Sequence, residues 1–218
     1  MRLKMIISFI ISLMFAGLFI WGLSNWSYMY MLFTAIISAA FLYNAMRLLG
    51  KLHPSKEKLI IKSFLWITFA FYLFFLFQLT FSVLRGDSVF IFSNKQLMDA
   101  YLRNRINFVP FRSIIEPFRD NYSRSYIIIN IFGNIAALAP MGFFLPMLFP
   151  FSRKLLPFTL MVSLVVVFIE FTQFLFTVGS VDIDDLILNV AGAVILFLIL
   201  KIPFIKKLTD KLFPISER

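Results

Sequence analysis

Six apolar segments, at approximately residues 5–23, 29–46, 62–84, 127–149, 155–176 and 185–201, constrain this chain more than any other feature. Each is close to the length that crosses a hydrocarbon core about 30 Å thick, and each is almost free of charge. Composition agrees: 61% of the 218 residues are hydrophobic, against about 45–50% in a soluble domain. A bilayer core offers no water, so a spanning segment must satisfy its own backbone hydrogen bonds, and here that selects helices. The expected fold is all-α: a polytopic membrane helical bundle of about six transmembrane helices.

The N-terminus, with Arg2 and Lys4 ahead of the first apolar run, resembles a signal peptide. The run continues to Leu23 without a small-residue cleavage site, so it reads as an uncleaved first helix. Ser24–Tyr28 forms a short uncharged connection that puts Trp26 and Tyr28 at interfacial depth. His53 falls in a Lys-rich polar break and reads as a solvated loop residue. Pro140, Pro146, Pro150 and Pro157 should bend or end helices around the fourth and fifth spans.

With no cysteine, disulfides, thiolate metal sites and Cys nucleophiles are excluded. The net charge of +10 suits anchoring to anionic lipid. No basic helix or aromatic–basic pattern points to nucleic acid, which is not an expected partner. Charge also sets an orientation. With the N-terminus inside, the inner segments hold fourteen of the 21 basic residues, and both termini are cytoplasmic. The protein is expected in the cell membrane as a multi-pass protein. We see no long-period repeat, and read one domain in four parts. These are residues 1–84, an N-terminal three-helix part; 85–126, an extracytoplasmic connecting segment; 127–201, a helical core; and 202–218, a basic cytoplasmic tail.

The other seven basic residues lie in the connecting segment, and six of them are arginine: Arg85, Arg103, Arg105, Arg112, Arg119 and Arg124. Guanidinium presents a planar fork suited to phosphate or carboxylate, whereas lysine suits diffuse attraction to head groups. Two readings stand. The arginines bind something specific, or they pair with Asp87, Asp99, Glu116 and Asp120 of the same segment.

Polar residues of the last three spans gather at one depth. Asn130 and Asn134 share a face of the fourth helix, and Glu170 and Gln173 share one on the fifth. The sixth begins with Asp182, Asp184 and Asp185, and a stripe runs through Asp182, Asp185, Asn189 and Gly192. An ionisable group within a span costs at least about 2.5 kcal/mol, so Glu170 must face the bundle interior. Amide side chains between helices also serve as packing glue, worth about 0.6 kcal/mol on average. The aspartates suit a helix N-terminus, or a hard cation such as Mg²⁺ or Ca²⁺ held by Asp182, Asp184 and Asp185. No cofactor is fixed by the residues.

Asn107-Phe108-Val109-Pro110-Phe111, Gly133-Asn134 leading to Pro140-x-Gly142-Phe143, Glu170-x-x-Gln173, and Asp182-x-Asp184-Asp185 followed by Asn189-x-x-Gly192 occur in that order. Together these motifs resemble VanZ-like membrane proteins over roughly residues 103–200. The resemblance implies a polytopic membrane protein of a group associated with glycopeptide resistance, teicoplanin above all. Many members carry a basic residue just before the acidic cluster. Here Gly179-Ser180 stands in its place, so an arginine of the connecting segment would have to substitute.

Three functions are open. In the first, the protein acts on a lipid-linked envelope component in the outer leaflet. Glu170, Asp182 and Asp185 are then catalytic, with Glu170 as general acid or base. Asn134, Gln173, Asn189 and Asn107 donate hydrogen bonds, and Arg105 and Arg112 meet a phosphate or carboxylate. In the second, the same residues bind a membrane lipid, an envelope precursor or a glycopeptide without chemistry, and Phe108, Phe111 and Phe118 touch an acyl chain. The third is transport, for which Asn44 is the one polar residue noted toward the inner end of the spans.

Overall fold

The computed structural model describes residues 1–24, 28–81, 91–93 and 95–214. Trp26, the Tyr28 side chain, Arg85 and Asp87 lie outside the described residues. The architecture is all-α, with one two-residue strand pair among the described residues. Among the described residues, six helical stretches are long and apolar enough to cross a membrane: Arg2–Gly22, Tyr30–Leu52, Pro54–Phe81, Arg124–Leu148, Leu155–Leu175 and Ile183–Lys201.

Several boundaries differ from the hydropathy reading, for local reasons. The third helix begins at Glu57 rather than near Lys62, because a 3-10 turn opened by Pro54 leads directly into it. Glu57 in its first turn suits the positive end of the helix dipole. The fourth apolar segment is two helices, Arg124–Leu138 and Met141–Leu148, divided at Ala139-Pro140. Pro150 opens a 3-10 turn, whereas Pro146 lies inside a helix. Pro157 occupies the first turn of Leu155–Leu175, where a missing N–H leaves no helical bond unmade. The basic tail carries a helix, Pro203–Leu212.

Where the sequence showed no domain boundary, the chain divides into two compact units: Met1–Phe75 with Lys207–Arg218, and Leu76–Lys206. One boundary falls inside an uninterrupted helix, where composition does not change, so no linker signal marks it.

In the first unit, helices α1 (Arg2–Ser24) and α2 (Tyr28–Leu52) run antiparallel. Ser12 and Ser38 each donate to the other's carbonyl at 3.0 Å, and Asn44 Nδ2 donates to Ser8 Oγ at 2.8 Å. Small hydroxyl residues let the two backbones approach and lock register by hydrogen bonds that lipid cannot compete for. Asn44 is therefore packing glue. Helix α3 (Glu57–Phe81) contributes Phe71 and Phe74, which flank the buried Phe19.

The second unit holds α4 (Lys95–Asn104), β1 (Ile106–Asn107), α5 (Arg112–Arg119), α6 (Arg124–Leu138), α7 (Met141–Leu148), α8 (Leu155–Leu175), β2 (Val181–Asp182) and α9 (Ile183–Lys201). Two glycines set how closely α9 is packed. A Cβ on Gly192 would stand 1.9 Å from the Ile135 carbonyl oxygen of α6, and one on Gly142 of α7 would stand 2.5 Å from the Ala193 carbonyl oxygen. Glycine at these positions is thus a condition of the helix contact. Phe158 of α8 and Phe197 of α9 stack at 4.4 Å, both fully buried.

Candidate functional site

Asp182 and Asp184 do their first work on the backbone. Asp182 is the N-cap of α9 and its side chain accepts from Asp184 N at 2.9 Å, so the polar stripe on the helix proper starts one turn later than its spacing suggests. Asp184 is fully buried, and its two oxygens accept from Phe111 N at 2.5 Å and Ser113 N at 2.7 Å. Phe111 sits in the left-handed region, at φ 65°, immediately before α5. Such a turn aims successive N–H groups at one point, a natural anion nest, and the anion that fills it is Asp184. The carboxylate caps α5 from across the chain.

From residue 95 onward the connecting segment folds into α4, β1 and α5. After Asn104 the chain forms β1, which pairs in parallel with β2 in the register Ile106↔Val181 and Asn107↔Asp182. Val181 N donates to Arg105 O at 2.8 Å. Side chains alternate across a strand, so the pair has two unlike faces. On one, Asn107 Nδ2 donates to Asp182 Oδ1 and to Ser113 Oγ, each at 3.0 Å, and the Ser113 hydroxyl donates to Asp182 Oδ2. On the other face lie Ile106 and Val181.

A polar cavity of about 640 Å³ opens on the first face. Arg103, Arg105 and Arg112 line it, together with Asn130, Asn134 and Asp185. Asn134 Nδ2 donates to Asp185 Oδ1, tying α6 to α9 at the cavity wall. Tyr122 and Tyr126, with ring centroids 5.0 Å apart, also line it. An apolar cavity of about 450 Å³ lies against the second face, lined by Leu102, Phe108, Val167, Phe171, Phe174 and Leu186. Ile106 and Asp182 belong to the walls of both.

Glu170 stands on the apolar side, where its Oε2 accepts from Asp182 N at 3.3 Å. It meets the aspartate-bearing turn through that turn's backbone. Tyr101 of α4 is buried, with its ring edge-on to Phe174 at 5.9 Å. Its hydroxyl has no hydrogen-bond partner among the described residues. Burial, then the negative charge of Glu170, pushes the Tyr101 hydroxyl above the ordinary phenol range, with Arg105 opposing.

Not every residue singled out from the sequence reaches the polar cavity. Gln173 instead donates to Thr80 O at 3.3 Å, and Asn189 donates to Asp185 O at 2.7 Å within its own helix. Neither lines either cavity. Among the described residues no three His, Asp or Glu side chains are placed to hold a metal ion. Both oxygens of Asp184 and of Asp182 accept from N–H and O–H donors of the protein itself.

The arginines divide. Arg112 Nε pairs with Glu116 at 2.7 Å and Arg119 with Asp120 at 3.6 Å, both solvent-exposed. Such pairs are worth about 0.3–0.5 kcal/mol and yield readily to a ligand. Arg103 and Arg105 form no ion pair among the described residues. Sequence reasoning passed over Ser113 and Tyr101. Ser113 carried a signal, its position just after the Asn107–Phe111 motif, whereas Tyr101 carried none.

A sequence model of the VanZ/LLP1 family matches residues 69–205. Searches of the curated proteins and of the solved structures find no match.

Proposed function

The chain belongs to the VanZ/LLP1 family of membrane proteins, and from that premise we propose that it binds the polar head of a lipid-linked cell-envelope component in the extracytoplasmic leaflet. The observation that carries this reading is the polar cavity, whose lining includes three arginines together with Asn130, Asn134 and Asp185. Guanidinium forks suit a phosphate or carboxylate. The amide and carboxylate wall suits hydroxyl or ammonium donors of the same head. A cavity of about 300–1,000 Å³ with a few convergent polar groups is the usual form of a small-ligand site. The extracytoplasmic side follows from the lysine and arginine count of the connections.

Binding is favoured over chemistry by the bonding of the acids. Asp182 and Asp184 are engaged in holding β1, β2 and α5 together, and Glu170 supports the Asp182 amide from the apolar side. In this reading Arg105, Arg112 and Asn134 touch the ligand, Asn107 positions Asp182, and any contribution to glycopeptide (teicoplanin) resistance works through sequestering or presenting that ligand. Native mass spectrometry of protein released from membranes tests it. Wild type should retain a phosphate-bearing lipid, and the Arg103→Ala/Arg105→Ala double variant should lose it while remaining folded. Equal lipid retention by the two would remove the proposal. So would unchanged glycopeptide susceptibility, as far as the resistance role is concerned.

A further inference from the structure

We propose that the ligand is a single-chain-occupying amphiphile that straddles the β1–β2 partition, its acyl chain in the apolar cavity and its anionic, donor-bearing head in the polar one. This rests on the reading of the polar cavity just given and adds where the chain goes and what class of molecule fits.

The argument starts from the strand pair. Val181 lines the apolar cavity and Asn107 the polar one, while Ile106 and Asp182 border both, so the two residues of each strand stand between an apolar space and a polar one. The two cavities share Ile106 and Asp182 as walls, and are therefore neighbours. A molecule that fills both must change from apolar to polar along its length over the width of one strand pair. That is the description of an amphiphile at its glycerol or equivalent junction.

Size and charge narrow the class. A water-sized group takes about 30 Å³, so the apolar cavity of about 450 Å³ admits on the order of fifteen such groups, the bulk of one acyl chain. Val167 and Phe171 are more than half exposed, at 52% and 55%, so the cavity is open along the α8 surface and a chain can enter sideways. On the polar side, Arg103 and Arg105 meet an anion, and the Asp185 carboxylate with the Asn134 amide meets hydrogen-bond donors. A head with phosphate alone engages only the arginines. One bearing phosphate together with hydroxyls or an ammonium uses both groups. Bilayer tails are as apolar as the cavity lining, so the chain gains little affinity from burial. Its cavity fixes position, and the head decides retention.

Photo-crosslinking in phosphatidylcholine nanodiscs separates these roles. The probe is a lysophospholipid with a phosphate and hydroxyls in its head and a diazirine at mid-chain. Label should concentrate on residues 102–108, 167–174 and 181–186, exceed that on the equally apolar α1 several-fold, and fall to the α1 level in Arg103→Ala/Arg105→Ala. Val167→Trp, which fills the cavity from its exposed side, should remove label from 181–186. Uniform label over all apolar helices, with lipid retention still dependent on Arg103 and Arg105, would overturn this inference and leave the head-group site standing. Uniform label with retention independent of those arginines would overturn both.

Discussion

Replacing Asp184 gives the sharpest test of how the site is held together. Its carboxylate is fully buried and accepts from the Phe111 and Ser113 amides at 2.5 and 2.7 Å. Leaving a buried donor without its partner costs about 1–3 kcal/mol. Two such donors give about 2–6 kcal/mol in Asp184→Ala. Both bonds are part-buried, so water recovers some of that, and about 3 kcal/mol is a fair expectation for local opening. Each 1.4 kcal/mol is a factor of about ten, so exchange of amide hydrogens in residues 106–119 should quicken about a hundredfold. Asp184→Asn keeps one acceptor oxygen and turns an NH₂ toward the second donor, so it should quicken exchange by roughly tenfold. Hydrogen exchange read by mass spectrometry on nanodisc-embedded protein measures this, with peptides from α1 and α2 as the internal reference. If residues 106–119 exchange at the wild-type rate in both variants, Asp184 is not the clasp described here. Equal acceleration in α1 and α2 would mean global unfolding, and would refute the local account as well.

Gly192→Ala should lower the thermal midpoint in detergent, because a Cβ there meets the Ile135 carbonyl oxygen at 1.9 Å. Overpacking of this kind costs about 1–3 kcal/mol. Gly133→Ala, with nothing within 4 Å of its Cβ, should be neutral or slightly stabilising, and the opposite order would contradict the packing described. Tyr101→Phe removes a buried hydroxyl that lacks a partner among the described residues, so stability near neutral pH should hold or rise by about 1 kcal/mol. Above about pH 10 the unfolded chain loses a Tyr101 proton that the folded one keeps, so wild-type stability should fall with pH more steeply than that of Tyr101→Phe. Matching denaturation curves across that window would show that the hydroxyl is not held neutral. Glu116→Ala should cost no more than about 0.5 kcal/mol while freeing Arg112, and a larger loss on thermal unfolding would mean the pair is structural.

The sequence by itself determined that this chain enters lipid, that it does so as helices, and that its distinctive residues lie in its second half. Those conclusions rest on length, charge and the backbone's need for internal hydrogen bonds, which are properties of single segments. The ordered motifs around Asn107, Asn134, Glu170 and Asp182 also singled out the family. What only the tertiary structure decided is what each polar residue touches. Gln173 sits one turn from Glu170 yet turns to Thr80, and Asn189 bonds its own helix, because helical spacing states which residues share a face and not what that face meets. Asp184 shares its short spacing with Asp182 and Asp185, and spacing could not tell that it caps a helix beginning more than seventy residues earlier. The strand pair joining residues 106–107 to 181–182 was invisible, since two residues are too few for a period to register. It nonetheless makes the two-faced partition, because non-local pairing brings two short alternating segments into register and gives each cavity its chemistry.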